Sequence, residues 1–215
     1  MEVFVLNEQN SIANQFLLEL RDQTIQQDRF RFRKNMERLG EIMAYEISKK
    51  LAFKAQKVHT PLAETIVQVP ATKPVVITVL RAGLPYFQGF LNYFNQSDCG
   101  FIGAYRKEGE KEITINLEYL AAGDLTGREV LIVDPMLATG NSFVRAVNAL
   151  LSHGKPAHWH LAALVAAPEG IENLKKSISL PASVYTVALD EKLNEQFYIV
   201  PGLGDAGDLS FGDKL

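Results

Sequence analysis

Three stretches of the chain combine residue types and spacing that could do chemistry. In the first, the apolar run EVLIVD ends on the carboxylate of Asp134 and is followed by PMLATGNS. There Thr139, Gly140, Asn141 and Ser142 bring hydroxyls and backbone N–H groups to the start of a helical pattern. Such N–H groups lack intrahelical acceptors and sit at the positive end of the helix dipole, so they hold anions. No Lys follows Gly140, and the G-x-x-x-x-G-K spelling of an NTP loop is absent. An acid at the strand end with a phosphate cradle just beyond it suits a ligand carrying both hydroxyls and a phosphate, such as a ribose 5-phosphate. In the second stretch, VVITVL delivers Arg81, Ala82 and Gly83, a cation beside small residues that allow close backbone approach. The third is PGLGDAGD, Pro201 to Asp208, whose Gly202, Gly204 and Gly207 fit G-x-G-x-x-G. A dinucleotide turn needs a strand before it and a helix and second strand after it. After Gly207 only DLSFGDKL remains, so a dinucleotide site is not expected, and the glycines need another explanation.

The elements that must position these stretches follow from hydrophobic period. Residues 11–22 and 28–50 read as helices, the second on Phe32, Met36, Leu39, Met43 and Ile47 at steps of three and four. That stripe is either core or a subunit contact, and the helix is expected to contribute to a homodimer. LAFKAQKV alternates as a strand, and ITVL after Pro74 reads as a strand buried on both faces. PYFQGFLNYF reads as a helix, GFIGAY and ITINLEYL as strands, and RKEGEKE and AAGDLTG as mobile segments. EVLIVD is a buried strand, SFVRAVNALLSHG a helix ended by Gly154, HLAALVAA a buried strand, PEGIENLKK a short helix and SVYTVAL the closing strand. Buried strands alternating with helices predict an α/β fold with a mainly parallel central sheet flanked by helices. In such sheets ligands collect beyond the carboxyl ends of the strands, which is where Arg81 and Asp134 fall.

Composition narrows the function classes. At 215 residues and 47% hydrophobic, one domain can bury a large core. The 22 basic and 25 acidic residues leave a net charge of −3, with no global cationic field for nucleic acid. Cys99 is the only cysteine, which excludes an intrachain disulfide and suits a reducing compartment. The opening MEVFVLNEQNS has neither the basic region nor the apolar run of a signal peptide, and no stretch has membrane-spanning length, so a cytoplasmic protein is expected.

A strand running into VDPMLATGNS resembles the phosphoribosyl diphosphate motif of type I phosphoribosyltransferases. Proline after the acid, in DPMLATG, is similar to the uracil phosphoribosyltransferases in particular. LRAG, IGAYR, VAAPEGI, YIVPGLGDAGD with FG, and the N-terminal LRD, FR and YE also resemble that family, in its order, over essentially the whole chain. The chain departs from the family at Pro85, where glycine usually follows RAGL, and at Asn141, the second glycine of ATGGS. It departs again between residues 107 and 125, where relatives carry a mobile flap.

The resemblance implies transfer of a phosphoribosyl group from 5-phosphoribosyl 1-diphosphate to N1 of uracil, giving UMP and diphosphate, with Mg2+ carried mainly by the donor diphosphate and no direct protein ligand. It implies a single domain of residues 1–215: an N-terminal helical arm (1–50), a core (51–190) and a small C-terminal hood (191–215). Asp134 would bind the ribose hydroxyls. The loop Pro135, Met136, Leu137, Ala138, Thr139, Gly140, Asn141 and Ser142 would hold the 5-phosphate. Arg81 and Arg106 would face the departing diphosphate, and Ile199, Gly204, Asp205 and Ala206 would read uracil, with Asp205 near the ribose. The expected assembly is a homodimer or a higher oligomer.

Each signal has a plainer alternative. Thr139 and Ser142 could merely cap a helix, Arg81 and Arg106 could form surface ion pairs, and the C-terminal glycines could be a simple turn. His158 and His160 share a strand face at a spacing that could bind a metal, but strand packing is the better reading, since no further ligands stand near them in sequence. Cys99 reads as a small buried side chain. The competing function is a non-catalytic regulator that senses phosphoribosyl diphosphate or UMP.

Overall fold

The structure is a computed structural model that describes residues 1–106 and 115–213, with the backbone alone described at 104–106 and 115–118. Along the chain the strands are β1 (Glu2–Val5), β2 (Phe53–His59), β3 (Glu64–Pro70), β4 (Val75–Leu80), β5 (Asp98–Arg106), β6 (Ile115–Ala121), β7 (Glu129–Val133), β8 (Met136–Leu137), β9 (His158–Ala166), β10 (Ala182–Leu189), β11 (Lys192–Leu193) and β12 (Ile199–Val200). The helices are α1 (Ala13–Arg21), α2 (Arg29–Ser48), α3 (Leu84–Tyr93), α4 (Asn141–Leu150), α5 (Pro168–Ser177) and α6 (Ala206–Phe211).

The central sheet runs β1-β10-β9-β7-β4-β5-β6, parallel throughout except for β6, which pairs antiparallel with β5. The α/β architecture expected from the sequence is therefore present. From β4 the chain moves outward to β5, but from β7 it moves the other way, to β9 and β10. The order thus reverses between β4 and β7, and the loops leaving these two strands diverge to opposite faces. A crevice opens at such a switch point. The faces are packed separately. Val76, Leu131, Val133, Leu164 and Tyr185 meet α1, α2 and α3 on one side, while Ile77, Val130, Ile132, Leu161 and Val184 meet α4 and α5 on the other.

Helix α2 begins where Asp28 caps it, its Oδ1 accepting from the N–H groups of Phe30 and Arg31 at 3.1 Å each. Its stripe of Phe32, Met36, Leu39, Met43 and Ile47 is wholly buried within the subunit. Of the two readings of the stripe, core or subunit contact, that burial decides for core. Gly40 and Gly89 explain how tightly α2 and α3 cross: a Cβ on Gly40 would run into the Tyr86 carbonyl oxygen, and one on Gly89 into that of Glu37.

Several elements lie outside the sequence reading. β1 places residues 2–5 in the main sheet, in register with β10, so the N-terminal segment is not helical throughout. β2 is the strand read in LAFKAQKV, but its partner β3 is outside that reading; the two form an antiparallel hairpin that is a sheet of its own, with Phe53, Leu62, Ile66 and Val67 exposed. AAGDLTG reads as mobile but is anchored: Leu125 is buried, its N–H donates to the His153 carbonyl at 2.8 Å, and that of Gly127 donates to the Lys155 carbonyl at 2.9 Å. Most of RKEGEKE lies outside the described residues.

His158 and His160 pack as strand residues. Their rings lie 4.7 Å apart, with Nε2 of His158 3.0 Å from the Ser183 hydroxyl and Nε2 of His160 2.8 Å from the Glu129 carboxylate. Cys99 is partly buried, and that burial raises its thiol pKa. No helix among the described residues is long and apolar enough to cross a membrane.

Candidate active site

β7 hands the chain to Asp134, which is largely buried. Its Oδ1 accepts from the Met136 N–H at 3.2 Å, fixing the carboxylate over the turn. The Pro135 carbonyl accepts from the N–H groups of Leu164 and Val165 at 3.0 and 3.1 Å, and β8 runs alongside β9 through Met136 and Leu137. The first half of the loop is thus an extension of the sheet rather than a free turn.

The second half rises from Ala138 to Gly140, which has φ +79° and opens α4. Glycine is needed there twice over, for its left-handed backbone and because a Cβ would lie 2.8 Å from the Gly170 carbonyl. Gly170, in the first turn of α5, is equally confined, since its Cβ would run into the Ala138 carbonyl. Asn173 finishes the clamp by donating from Nδ2 to the Thr139 carbonyl at 2.8 Å and to Asn141 Oδ1 at 2.9 Å. The loop is held from below by β9 and from the side by α5, with the start of a ten-residue helix at its end. Asn141, which departs from the resembled motif, has acquired a partner in Asn173. Sequence reasoning missed Asn173, because nothing in the PEGIENLKK pattern marks one polar residue from another.

β4, the neighbour of β7, ends at Leu80 and hands the chain to Arg81. Gly83 lets the loop pass across the end of β7, since a Cβ there would meet the Thr78 hydroxyl and lie 3.1 Å from the Val133 carbonyl. Thr78 in turn donates to that carbonyl at 3.0 Å. Pro85 stands in the first turn of α3, where its missing N–H costs nothing. Arg106 is the last residue of β5 and its side chain lies outside the described residues.

The C-terminal segment folds back over this edge. Ile199 is buried in β12, and Gly202 and Gly204 take left-handed backbones at φ +62° and +95°. Asp205 caps α6, its Oδ1 accepting from Gly207 and Asp208 N–H groups at 2.8 and 3.0 Å. Ala206 and Leu203 are buried. The sequence reading had no helix after the glycines. α6 exists, but it has only six residues and no described strand beyond it. Its first turn sits on the β4 loop, where a Cβ on Gly207 would lie 3.7 Å from that of Ala82. Arg81 completes the join, its Nη2 donating to Asp208 Oδ1 at 3.3 Å and to the Gly212 carbonyl at 3.2 Å.

The loops carrying Arg81, Asp134 to Ser142 and Gly202 to Asp208 therefore meet at one edge of the sheet, at the switch point. The profile of the uracil phosphoribosyltransferase family matches residues 7–213. The chain belongs to that family. A uracil phosphoribosyltransferase of Porphyromonas gingivalis is 47% identical over 216 residues and covers the whole of both chains. One from Limosilactobacillus fermentum is 43% identical over 187 residues, 85% of this chain and 87% of that one. A solved structure from Aquifex aeolicus superposes with a TM-score of 0.86 at 28% identity, covering 98% of each chain.

The structure also brings together residues that the sequence pattern does not mark. Arg21, inside the LRD stretch, and Asp190, immediately after β10, bind each other and the hood backbone. Asp190 was findable by the same rule that singled out Arg81 and Asp134, for it too leaves the carboxyl end of a core strand. Glu169 Oε1 accepts from the Leu193 N–H at 3.0 Å, tying the hood hairpin to α5. That bond lowers the pKa of the Glu169 carboxyl.

Proposed function

We propose that this edge of the sheet holds 5-phosphoribosyl 1-diphosphate and uracil side by side, for transfer of the phosphoribosyl group to N1 of uracil in pyrimidine salvage. The C1′–O bond to diphosphate breaks, the C1′–N1 bond forms, the N1 proton leaves, and UMP and diphosphate are the products. The 5-phosphate sits on N–H groups of Ala138 to Ser142 and on the Thr139 and Ser142 hydroxyls, at the start of α4. Pro135, Met136 and Leu137 give that cradle its rigid base. Asp134 accepts from the ribose hydroxyls. Arg81, with Arg106 from the neighbouring strand, faces the diphosphate, whose charge grows as the glycosidic bond weakens, and fixed cations stabilise such charge best.

Uracil is neutral and flat, so it is read by backbone groups, and the hood offers them at Ile199, Gly204 and Ala206. Asp205 caps α6 with one carboxylate oxygen, and the other is the one to reach the ribose. Magnesium fits as a companion of the donor. Among the described residues no group of three or more His, Cys, Asp and Glu side chains is arranged to hold a metal ion, and this hard ion is commonly carried on substrate phosphates with most of its water. Bound there, it neutralises diphosphate charge.

The observation that carries this reading is the bond from Arg81 to Asp208, because it joins the anion side of the crevice to the glycine hood. The chain acts as one cytoplasmic domain, with residues 1–50 as an arm, 51–190 as core and 191–215 as hood. It acts as a homodimer through the exposed β2–β3 hairpin rather than through α2. Purified protein incubated with labelled uracil, donor and magnesium should form UMP, and should leave hypoxanthine, guanine and orotate unchanged. Comparable turnover of a purine base would overturn the base assignment.

A further inference from the structure

Arg21 closes α1 and Asp190 follows β10, and the two form a fork. Arg21 Nη2 donates to Asp190 Oδ1 at 2.6 Å and Nη1 to Oδ2 at 3.1 Å. Both groups also hold one hood residue. The Gly202 N–H donates to Asp190 Oδ2 at 2.8 Å, while the Gly202 carbonyl accepts from Arg21 Nη1 at 3.2 Å. Gly202 is the first left-handed glycine of the hood, and it is gripped at both of its backbone polar groups. The Asp190 side chain is only 5% exposed and that of Arg21 22%. An ion pair this buried does little for net stability against an apolar replacement, yet fixes geometry strongly, because losing one partner strands the other charge.

The arm grips the hood at further points. The Gln26 amide, in the orientation that satisfies its surroundings, donates to the Leu203 carbonyl at 2.9 Å. Arg33 Nη1 donates to the Ser210 carbonyl at 2.7 Å. None of these residues belongs to the loops that hold the donor. The Asp190 N–H donates to the Ala166 carbonyl at 2.8 Å, so the strut is footed on the sheet.

We infer that Arg21 and Asp190 are a positioning pair for the acceptor: they set the register of the hood backbone from Gly202 onward, and so the affinity for uracil, without touching either substrate. This rests on the reading that the hood reads uracil. The geometry weights the effect toward the acceptor, since the strut holds hood and arm while the phosphate cradle is held by β9 and α5, and the hood's link to a donor cation, Arg81 to Asp208, is an exposed and weak pair.

Steady-state kinetics on Asp190→Asn, Arg21→Met, Arg21→Lys and the Arg21→Met/Asp190→Asn double variant test it, alongside Gly204→Val as a hood change that leaves the strut intact. Asp190→Asn and Arg21→Met should each raise KM for uracil about tenfold or more, with KM for the donor within about twofold, because weakening the uniform binding of one substrate shows in that substrate's KM alone. Arg21→Lys should recover part of the loss, and the double variant should be no worse than the poorer single, as for groups that act as a unit. Equal rises in both KM values, or an unchanged uracil KM in a folded Asp190→Asn or Arg21→Met protein, would overturn the inference. Should Asp190→Asn fail to fold, Arg21→Met decides alone. An unchanged uracil KM in Gly204→Val as well would instead bring down the reading that the hood binds the base.

Discussion

The guanidinium of Arg81 spans the crevice to the Asp208 carboxylate at 3.3 Å and the Gly212 carbonyl at 3.2 Å, so the cation assigned to the diphosphate is also the tether of the C-terminal helix. Both side chains are more than a third exposed, which keeps the pair weak. The diphosphate, with more charge, should outcompete one carboxylate. Arg81→Ala is expected to lower kcat by about two to three orders of magnitude, the scale for removing one group that stabilises developing charge. Asp208→Asn should do the reverse for binding, tightening the donor by up to about fivefold as a competing anion leaves. Titration of both variants with donor checks this. An unchanged rate in Arg81→Ala would remove that residue from the mechanism.

Two hood glycines separate steric need from conformational need. A Cβ at Gly202 would run into the Ile199 carbonyl oxygen, whereas at Gly204 the nearest atom is the Leu209 Cδ1 at 3.5 Å. Both have positive φ, so alanine is strained at each by about 1 kcal/mol. Gly202→Ala must in addition shift backbone. Its loss of uracil affinity should therefore exceed that of Gly204→Ala by about tenfold, measured by calorimetry with the donor site occupied by diphosphate. Equal losses would show that the Ile199 contact is relieved without moving the loop.

The clamp between Gly170 and the cradle makes a donor-side prediction. Gly170→Ala places a methyl against the Ala138 carbonyl and 3.0 Å from that of Leu137, both backbone atoms that can yield only by moving the loop. KM for the donor should rise about tenfold or more while KM for uracil changes little. Asn173→Ala, which removes two hydrogen bonds on the loop, should give a smaller shift in the same direction. A Gly170→Ala protein with both KM values unaltered would show that the cradle is not sensitive to its flank.

How much of this was legible in the sequence depends on how local the signal is. Helix α2 announces itself because five apolar residues keep helical register and one acid stands at its N-cap. The cradle is legible because strand, turn and helix start are contiguous from Glu129 to Ser142. Burial of the α2 stripe within the subunit was not legible, since periodicity says that a face is covered but not by what. The covering surface comes in part from α3, distant in sequence, through Gly40 and Gly89. β3 carried a signal in Thr65, Ile66, Val67 and Val69 that the reading passed over, while β8, β11 and β12 are two-residue strands that exist only because of their partners. Arg21 with Asp190 belongs to the same class, a pair separated by 169 positions that only the fold brings together.

The β2–β3 hairpin gives the assembly prediction. Its strands pair with each other and with no strand of the main sheet, and Leu62 at the tip is 96% exposed, with Phe53, Ile66 and Val67 open beside it. A two-stranded ribbon is marginal by itself and gains by burying such side chains against another surface. Light scattering at micromolar concentration should give a dimer for the natural chain and a monomer for Leu62→Asp/Ile66→Glu. A monomeric natural chain, or an unshifted double variant, would remove the hairpin from the assembly.

His158 supplies the pH dependence. Burial, and then the nearby His160, lower its pKa below the ordinary histidine value, against the opposing pull of Glu129 and Glu2. The unfolded chain therefore binds a proton at this residue before the folded one does, and stability falls as pH drops below about 6.5. Glu129 acts lower on the scale. The hydrogen bond from His160 holds its carboxyl below the usual glutamate value, so its contribution is present above about pH 4.5 and is lost as acid protonates it. The two windows can be told apart. Between pH 7 and 5.5 the unfolding midpoint of the natural chain should fall by about one to two degrees more than that of His158→Gln, a modest difference because the ring is partly exposed. Glu129→Gln, which removes one carboxylate opposing the His158 shift, should make the loss in that interval slightly steeper and flatten it only below pH 5. Identical midpoint curves for the natural chain and His158→Gln from pH 7 to 5.5 would show that the ring titrates alike in both states, and that its contact with Ser183 survives protonation.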